Sequence, residues 1–232
     1  MKKYIAASMI MFLSCFILFS AVSVPAAEKV AEKAKSQVDD ILSKIEARYG
    51  GPGFSAVFTQ KSYLAAMQMT EEATGSAIFK KPGKMKWTYE TPEKQLIVTD
   101  GVTLWIYRPE DSQVMTGKPE SYLADGKGGS LLSDVKMIRK KFDVTYTGKN
   151  ANGDHELKLM PKELTGALTK AGLVISAQSF DILKIVYENE YQDKTELNFK
   201  DLKFGLNPSD AEFDFKIPEG VHKLKLGSQE KD

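Results

Sequence analysis

The sequence predicts a mainly β fold of the α+β class, and three observations carry that prediction. The stretch Phe79–Arg108 holds three strand-like runs separated by turns rich in Pro and Gly. Inside it, Lys84–Tyr89 alternates strictly: Met85, Trp87 and Tyr89 fall on one face, Lys84, Lys86 and Thr88 on the other, the pattern of a strand with one dry side. From Phe142 onward, further runs of strand composition follow one another, with polar loops such as Asn150–Asp154 between them.

The first segment is of a different kind. Lys2 and Lys3 precede an apolar run from Ile5 to Phe19, and Val24-Pro25-Ala26-Ala27 offers the small residues that a signal peptidase accepts. Residues 1–27 read as a cleaved secretory signal and 28–232 as a single domain, with a retained membrane anchor as the alternative. The apolar run is short for a bilayer span, which needs about 20 residues. The one cysteine, Cys15, lies inside this run and is followed by Phe16-Ile17-Leu18-Phe19, the wrong context for lipidation. The processed chain is therefore expected to contain no disulfide. Loss of Lys2 and Lys3 leaves 30 basic against 31 acidic residues, so the formal charge passes from +1 to −1. Such a balance gives no electrostatic grip on nucleic acid.

In the processed chain, Glu28–Tyr49 carries Val38, Ile41, Leu42 and Ile45 at helical spacing, and Gly50-Gly51-Pro52-Gly53 stops the helix. Core packing, a mobile lid or a membrane-surface role would each use that stripe. Phe54–Leu64 is a strand with Phe54, Ala56 and Phe58 on one side; Met67 and Met69 follow as gap-fillers or as an adaptable apolar surface, before a strand over Ala73–Lys80. Lys81-Pro82-Gly83 and Thr91-Pro92-Glu93 are turns. Asp100-Gly101 predicts a two-residue hairpin pairing Thr99 with Val102 and Leu96 with Trp105. On that register Leu96, Val98, Trp105 and Tyr107 share one face and Ile97, Leu104 and Ile106 the other. Both faces are apolar, so the hairpin is covered on both sides or lines a cavity on one.

Beyond a short strand around Gln113–Met115, the Gly-rich Asp125–Ser130 reads as a flexible connection. Leu131, Leu132, Val135 and Ile138 fit a short helix. Strands are predicted over Phe142–Thr147, His155–Met160, Leu173–Phe180, Ile182–Glu190 and Thr195–Phe204, while Lys162–Gly172 is open between helix and loop.

Four segments resemble the periplasmic outer-membrane lipoprotein carriers of the LolA type: Phe54–Gln60, Lys81–Tyr89, Leu96–Tyr107 and Phe213–Val221. Their order and spacing span most of the processed chain. The resemblance implies an open, incomplete antiparallel β-barrel with a helical lid over a hydrophobic cavity. It also implies a monomeric carrier that needs no cofactor, takes acylated lipoproteins from an inner-membrane ABC transporter and hands them to an outer-membrane receptor. Alternation and the Asp100-Gly101 register put Phe58, Met85, Trp87, Tyr89, Leu96, Val98 and Trp105 on the acyl-binding wall of such a cavity, while the resemblance implies Leu131 and Leu132 on the lid and Lys81 at the gate. Family members often carry Arg where this chain has Lys81, and lysine lacks the planar fork of donors.

Catalytic chemistry finds little to stand on. His155-Glu156 has no second histidine at zinc-protease spacing. Gly126-Lys127-Gly128-Gly129-Ser130 has the ingredients of a phosphate loop in the wrong order. Glu188 and Glu190 are strand neighbours rather than a pair flanking a cleft, and no Gly-x-Ser-x-Gly elbow occurs. The reading is therefore a carrier and not an enzyme, with a related lipid-binding or lipoprotein-sensing module as the alternative and an envelope hydrolase as a weaker one.

Overall fold

The computed structural model describes residues 24–120, 130–163 and 168–226. Residues 1–23, which hold Cys15 and most of the expected signal segment, most of the Gly-rich connection, part of the 162–172 segment and the tail after 226 lie outside the described residues.

A long helix, α1 (Val24–Arg48), leads into β1 (Gly53–Leu64), which pairs along its whole length with β2 (Met69–Lys80). The short strands β3 (Lys84–Thr91), β4 (Gln95–Thr99), β5 (Leu104–Arg108) and β6 (Gln113–Gly117) follow as antiparallel neighbours. Two short helices, α2 (Ser130–Ser133) and α3 (Lys136–Lys141), precede β7 (Phe142–Lys149), β8 (His155–Pro161), β9 (Leu168–Ile175), β10 (Ile182–Asn189), β11 (Lys194–Phe204) and β12 (His222–Lys225). These form one twelve-stranded sheet in the order β12-β6-β5-β4-β3-β2-β1-β11-β10-β9-β8-β7. Among the described residues its outermost strands, β12 and β7, pair only on their inner sides, so the sheet is an open, incomplete barrel, as the resemblance implied.

Three boundaries differ from the sequence reading. The β4–β5 connection runs over four residues, because Thr99 faces Leu104 rather than Val102. The Asp100 carboxylate accepts from the backbone N–H groups of Val102 at 2.8 Å and Thr103 at 2.7 Å, and the Thr99 hydroxyl accepts from Gly101 N–H, whose φ of 96° suits glycine. The slip is by two residues, so the hairpin's faces stay as assigned. Leu168–Gly172, ambiguous in sequence, belongs to β9, which ends at Ile175. Finally, β12 runs parallel to β6, unlike the rest of the sheet.

The two faces of the sheet are covered by different parts of the chain. On the inner face, Ile41, Leu42 and Ile45 of α1, Leu131 and Leu132 of α2, Val135, and Ile138 of α3 bury against Phe54, Phe58, Met85, Trp87, Ile97 and Leu104 in one continuous core. On the outer face, the segment after β11 runs as a strap across β3–β5 to reach β6. Lys80 and Lys84 bind the Asp210 carboxylate at 2.7 and 3.0 Å, and their hydrogen bonds and charges hold its pKa below the usual carboxylate range. Lys86 reaches Glu212 at 3.2 Å, and the Ser209 hydroxyl caps the turn by accepting from Ala211 N–H. Phe213 is fully buried under this strap, and Phe215 packs on Trp105 and Tyr107 with ring centres 6.2 and 5.5 Å apart. Phe213→Ala should lower the unfolding free energy by about 3–5 kcal/mol, the usual cost of emptying a buried aromatic position. Chemical denaturation of the two proteins measures it.

Candidate functional site

Cross-strand partners project to the same face of a sheet, so the inner surface can be built row by row from the register. One row is Phe54, Phe79, Met85, Thr99 and Leu104; the next is Ala56, Ala77, Trp87, Ile97 and Ile106; the third is Phe58, Gly75, Tyr89 and Gln95. The rows form an aromatic cup. Phe54 stacks on Phe79 at 4.4 Å, Phe58 lies 4.8 Å from Trp87 and 4.9 Å from Tyr89, and Phe79 meets Trp87 edge-on at 5.8 Å. Small residues make room for the large ones. A Cβ at Gly75 would sit 2.8 Å from the Phe58 ring and 2.1 Å from Thr88 O, so only glycine fits beneath that ring.

Of the expected wall residues, Phe58, Met85, Trp87 and Tyr89 come together here, the first three fully buried and Tyr89 half-buried. Leu96, Val98 and Trp105 do not join them. Because Trp87 pairs with Ile97 and Met85 with Thr99, the intervening Leu96 and Val98 point to the outer face, as does Trp105 opposite Val98. There they meet the strap, which closes a shallow outer groove lined by Lys86, Leu96, Val98, Ala211, Glu212 and Phe215. The expected wall thus divides between two faces, and the inner places go to Ile97, Leu104 and Ile106.

The cup has a polar rim on the side of the β1–β2 hairpin. The Tyr89 hydroxyl donates to Gln60 Oε1 at 3.0 Å, and the Gln60 amide donates to the Ser62 hydroxyl at 3.0 Å. Both residues beyond Phe58 on this face, Gln60 and Ser62, are therefore polar, whereas the cup floor is not.

Over the cup lie the helices, and their ties are polar and peripheral. The expected lid residues Leu131 and Leu132 are buried in the core that the helices share with the cup. Helix α1 is anchored near its C-terminal end: Arg48 Nε donates to Asp181 at 2.7 Å while its guanidinium lies 3.9 Å from the Phe204 ring centre, and Ile182 N–H donates to the Tyr49 hydroxyl. Burial pushes the Tyr49 phenol far above its ordinary pKa, keeping it neutral. Helix α3 runs directly into β7. Between α1 and α3 stands Arg139, whose Nε donates to Glu46 at 2.7 Å, Nη1 to Asp39 Oδ1 at 2.6 Å, and Nη2 to Asp39 O at 2.8 Å and Ser43 Oγ at 2.9 Å. One planar fork thus joins two helices that are rooted in different strands.

Sequence reading missed Arg139, because Lys136-Met137-Ile138-Arg139-Lys140-Lys141 looks like an ordinary solvated helix end. The usable signal was the Asp39, Ser43, Glu46 spacing on α1, which puts three acceptors on one face. Lys81, expected at the gate, lies exposed in the β2–β3 turn; its backbone N–H donates to Pro52 O, and its ammonium makes no hydrogen bond or ion pair among the described residues. Lys81→Ala should therefore change the unfolding free energy by no more than about 0.5 kcal/mol, read as an unchanged denaturation midpoint.

Among the described residues no group of three or more His, Cys, Asp or Glu is placed to hold a metal, and no helix is long and apolar enough to cross a membrane. The family model and the curated relatives point to one family. Residues 52–216 match the family model described as "Outer membrane lipoprotein carrier protein LolA". The outer-membrane lipoprotein carrier protein of Hahella chejuensis is 26% identical over 209 residues, 90% of this chain and 96% of its own. That of Azotobacter vinelandii is also 26% identical, over 171 residues covering 74% of this chain and 81% of its own. Among solved structures, an uncharacterized conserved protein from Thermus thermophilus superposes with a TM-score of 0.54 at 14% identity, over 82% of this chain and 99% of its own, a likeness of fold alone.

Proposed function

Since the chain belongs to the LolA family of outer-membrane lipoprotein carrier proteins, we propose that it works in the periplasm as a soluble carrier for the acyl chains of lipoproteins. Residues 28–232 act as one domain after a leader directs the chain out of the cytoplasm. Cargo comes from an ABC transporter in the inner membrane and passes to a receptor at the outer membrane.

The observation that carries this reading is the aromatic cup covered by helices whose mutual tie is polar and peripheral. Helices α1 and α3 bury their apolar stripes in the cup, where each methylene hidden from water contributes about 0.8 kcal/mol. Acyl chains offer the same currency of apolar area, so they can replace the helices over Phe58, Met85, Trp87 and Tyr89 without a covalent step. What must break for this exchange is polar and near the surface, chiefly the fork of Arg139, whose side chain is 32% exposed. The empty protein therefore hides its own binding surface, and loading exchanges one cover for another.

Native mass spectrometry of the protein purified from its own periplasm tests the reading. The expected species is the chain with one acylated protein bound. Bound free lipid in its place would point to a lipid-binding module of another kind, and hydrolysis of an ester probe would point to an enzyme; either result contradicts the carrier.

A further inference from the structure

The carrier reading leaves open which part of an acyl chain the cup recognises, and the inference below rests on that reading. A surface that binds only hydrocarbon has use for phenylalanine at each aromatic position, yet position 87 carries an indole. Trp87 is fully buried, and its Nε1–H has no hydrogen-bond partner among the described residues. Its ring neighbours Phe58, Phe79 and Phe199 offer no acceptor oxygen. Gln60 Oε1, the side-chain acceptor one turn of the pattern beyond Phe58, already receives the Tyr89 hydroxyl. Ala56 and Ala77 share its row, leaving space for the larger bicyclic ring. Buried donors without acceptors are rare and costly in native proteins, so this one calls for a partner that arrives with the cargo.

We propose that Trp87 donates its indole N–H to an acyl carbonyl of the bound cargo, so that the cup selects acyl chains over plain alkyl chains. The row order fits such a ligand. Gln60, Ser62 and Tyr89 form the polar rim, Trp87 lies one row deeper than Tyr89, and Met85, Phe79 and Leu104 lie one row deeper again. A chain entering past the rim presents its carbonyl near Trp87 and its methylenes to the apolar rows beyond. Ester and amide linkages supply the same acceptor, and the donor reads the carbonyl common to both.

The test compares two short lipids as monomers: diheptanoyl-phosphatidylcholine and its diheptyl diether analogue, which differ only in the carbonyls. The intact protein should bind the diester roughly tenfold more tightly, the size of one net hydrogen bond in an apolar site. In Trp87→Phe the diester-to-diether ratio should fall to near one, whatever happens to the absolute affinities. A readout that needs no variant comes from the two tryptophans of the chain. In ¹⁵N-labelled protein the Trp87 indole proton should move downfield with the diester and not with the diether, with Trp105 on the opposite face as the internal reference. An amide-linked analogue that behaves like the diester extends the selectivity to amides; one that behaves like the diether confines it to esters. Equal binding of diester and diether, or a ratio unchanged in Trp87→Phe, overturns the donor role and leaves the carrier intact. Failure of every lipid to bind removes the carrier reading itself.

Discussion

Arg139→Ala is expected to bind acyl ligands more tightly than the unaltered protein, not less. The guanidinium supplies four hydrogen bonds from α3 to α1, three of them to Asp39 and Glu46. Hydrogen bonds to charged groups contribute about 1.5–3 kcal/mol when shielded; with the side chain about one-third exposed, solvent screening brings the whole fork to about 1–2 kcal/mol. All of that favours the covered, empty form. A ligand that needs the helices apart works against it, so removing the fork raises apparent affinity by the same free energy, roughly five- to thirtyfold. The variant should also show a lower denaturation midpoint when empty. Arg139→Lys should fall between the two, because an ammonium keeps the charge without the planar set of donors. Titration with a monomeric short-chain lipid, alongside chemical denaturation, measures both effects. Weaker binding by Arg139→Ala would mean that the fork belongs to the loaded state.

The second large effect lies in the cup floor. Met85 is fully buried between Phe79 and Thr99 in its row, and Met85→Glu places a carboxylate where no cation is within its row. Burying an unpaired charge costs several kcal/mol. The protein escapes part of that cost by parting its helices, and the acyl ligand then meets a charged floor. Lipid affinity should fall by more than a hundredfold, with a markedly lower denaturation midpoint. Met85→Leu, which nearly conserves volume, should cost less than about 1.5 kcal/mol and keep binding. Leu96→Glu is the control from the other face, beneath the strap, and should leave lipid affinity unaltered. If Met85→Glu transfers lipoprotein at the ordinary rate, the cup is not the acyl site.

How much of this was legible in the sequence depends on the range of the signal. Strict alternation over Lys84–Tyr89 gave one dry face directly, since the strand period is local. The hairpin faces of Leu96–Tyr107 were also legible, and survived an error of two residues in the turn because faces repeat every second residue. What alternation could not give was the parity between β3 and β4. The turn at Thr91-Pro92-Glu93 does not fix its own length, and one residue more or less exchanges the faces of Leu96 and Ile97. Trp105 went to the wrong wall for that reason. The strap adds a second one: Val98 is buried, as inner residues are, yet the groove beside it is closed by Ala211 and Phe215, from a segment about a hundred residues later. Apolar character marks burial and says nothing of which cover supplies it. Arg139 was illegible for a related reason, because its three acceptors lie on a helix almost a hundred positions away.

The resemblance located a gate at Lys81, where the side chain has no partner among the described residues, whereas the physical tie between helices is a guanidinium elsewhere. An arginine fork is thus present in this chain at a different place from where the family pattern would put it.

The most direct measurement uses spheroplasts that retain newly made lipoproteins in their inner membrane. Incubated with the purified protein, they should release lipoprotein into the supernatant as a soluble one-to-one complex with it, less so with Met85→Glu. Lipoprotein that stays with the membrane pellet, at concentrations where the protein binds short-chain lipid, would contradict the carrier function.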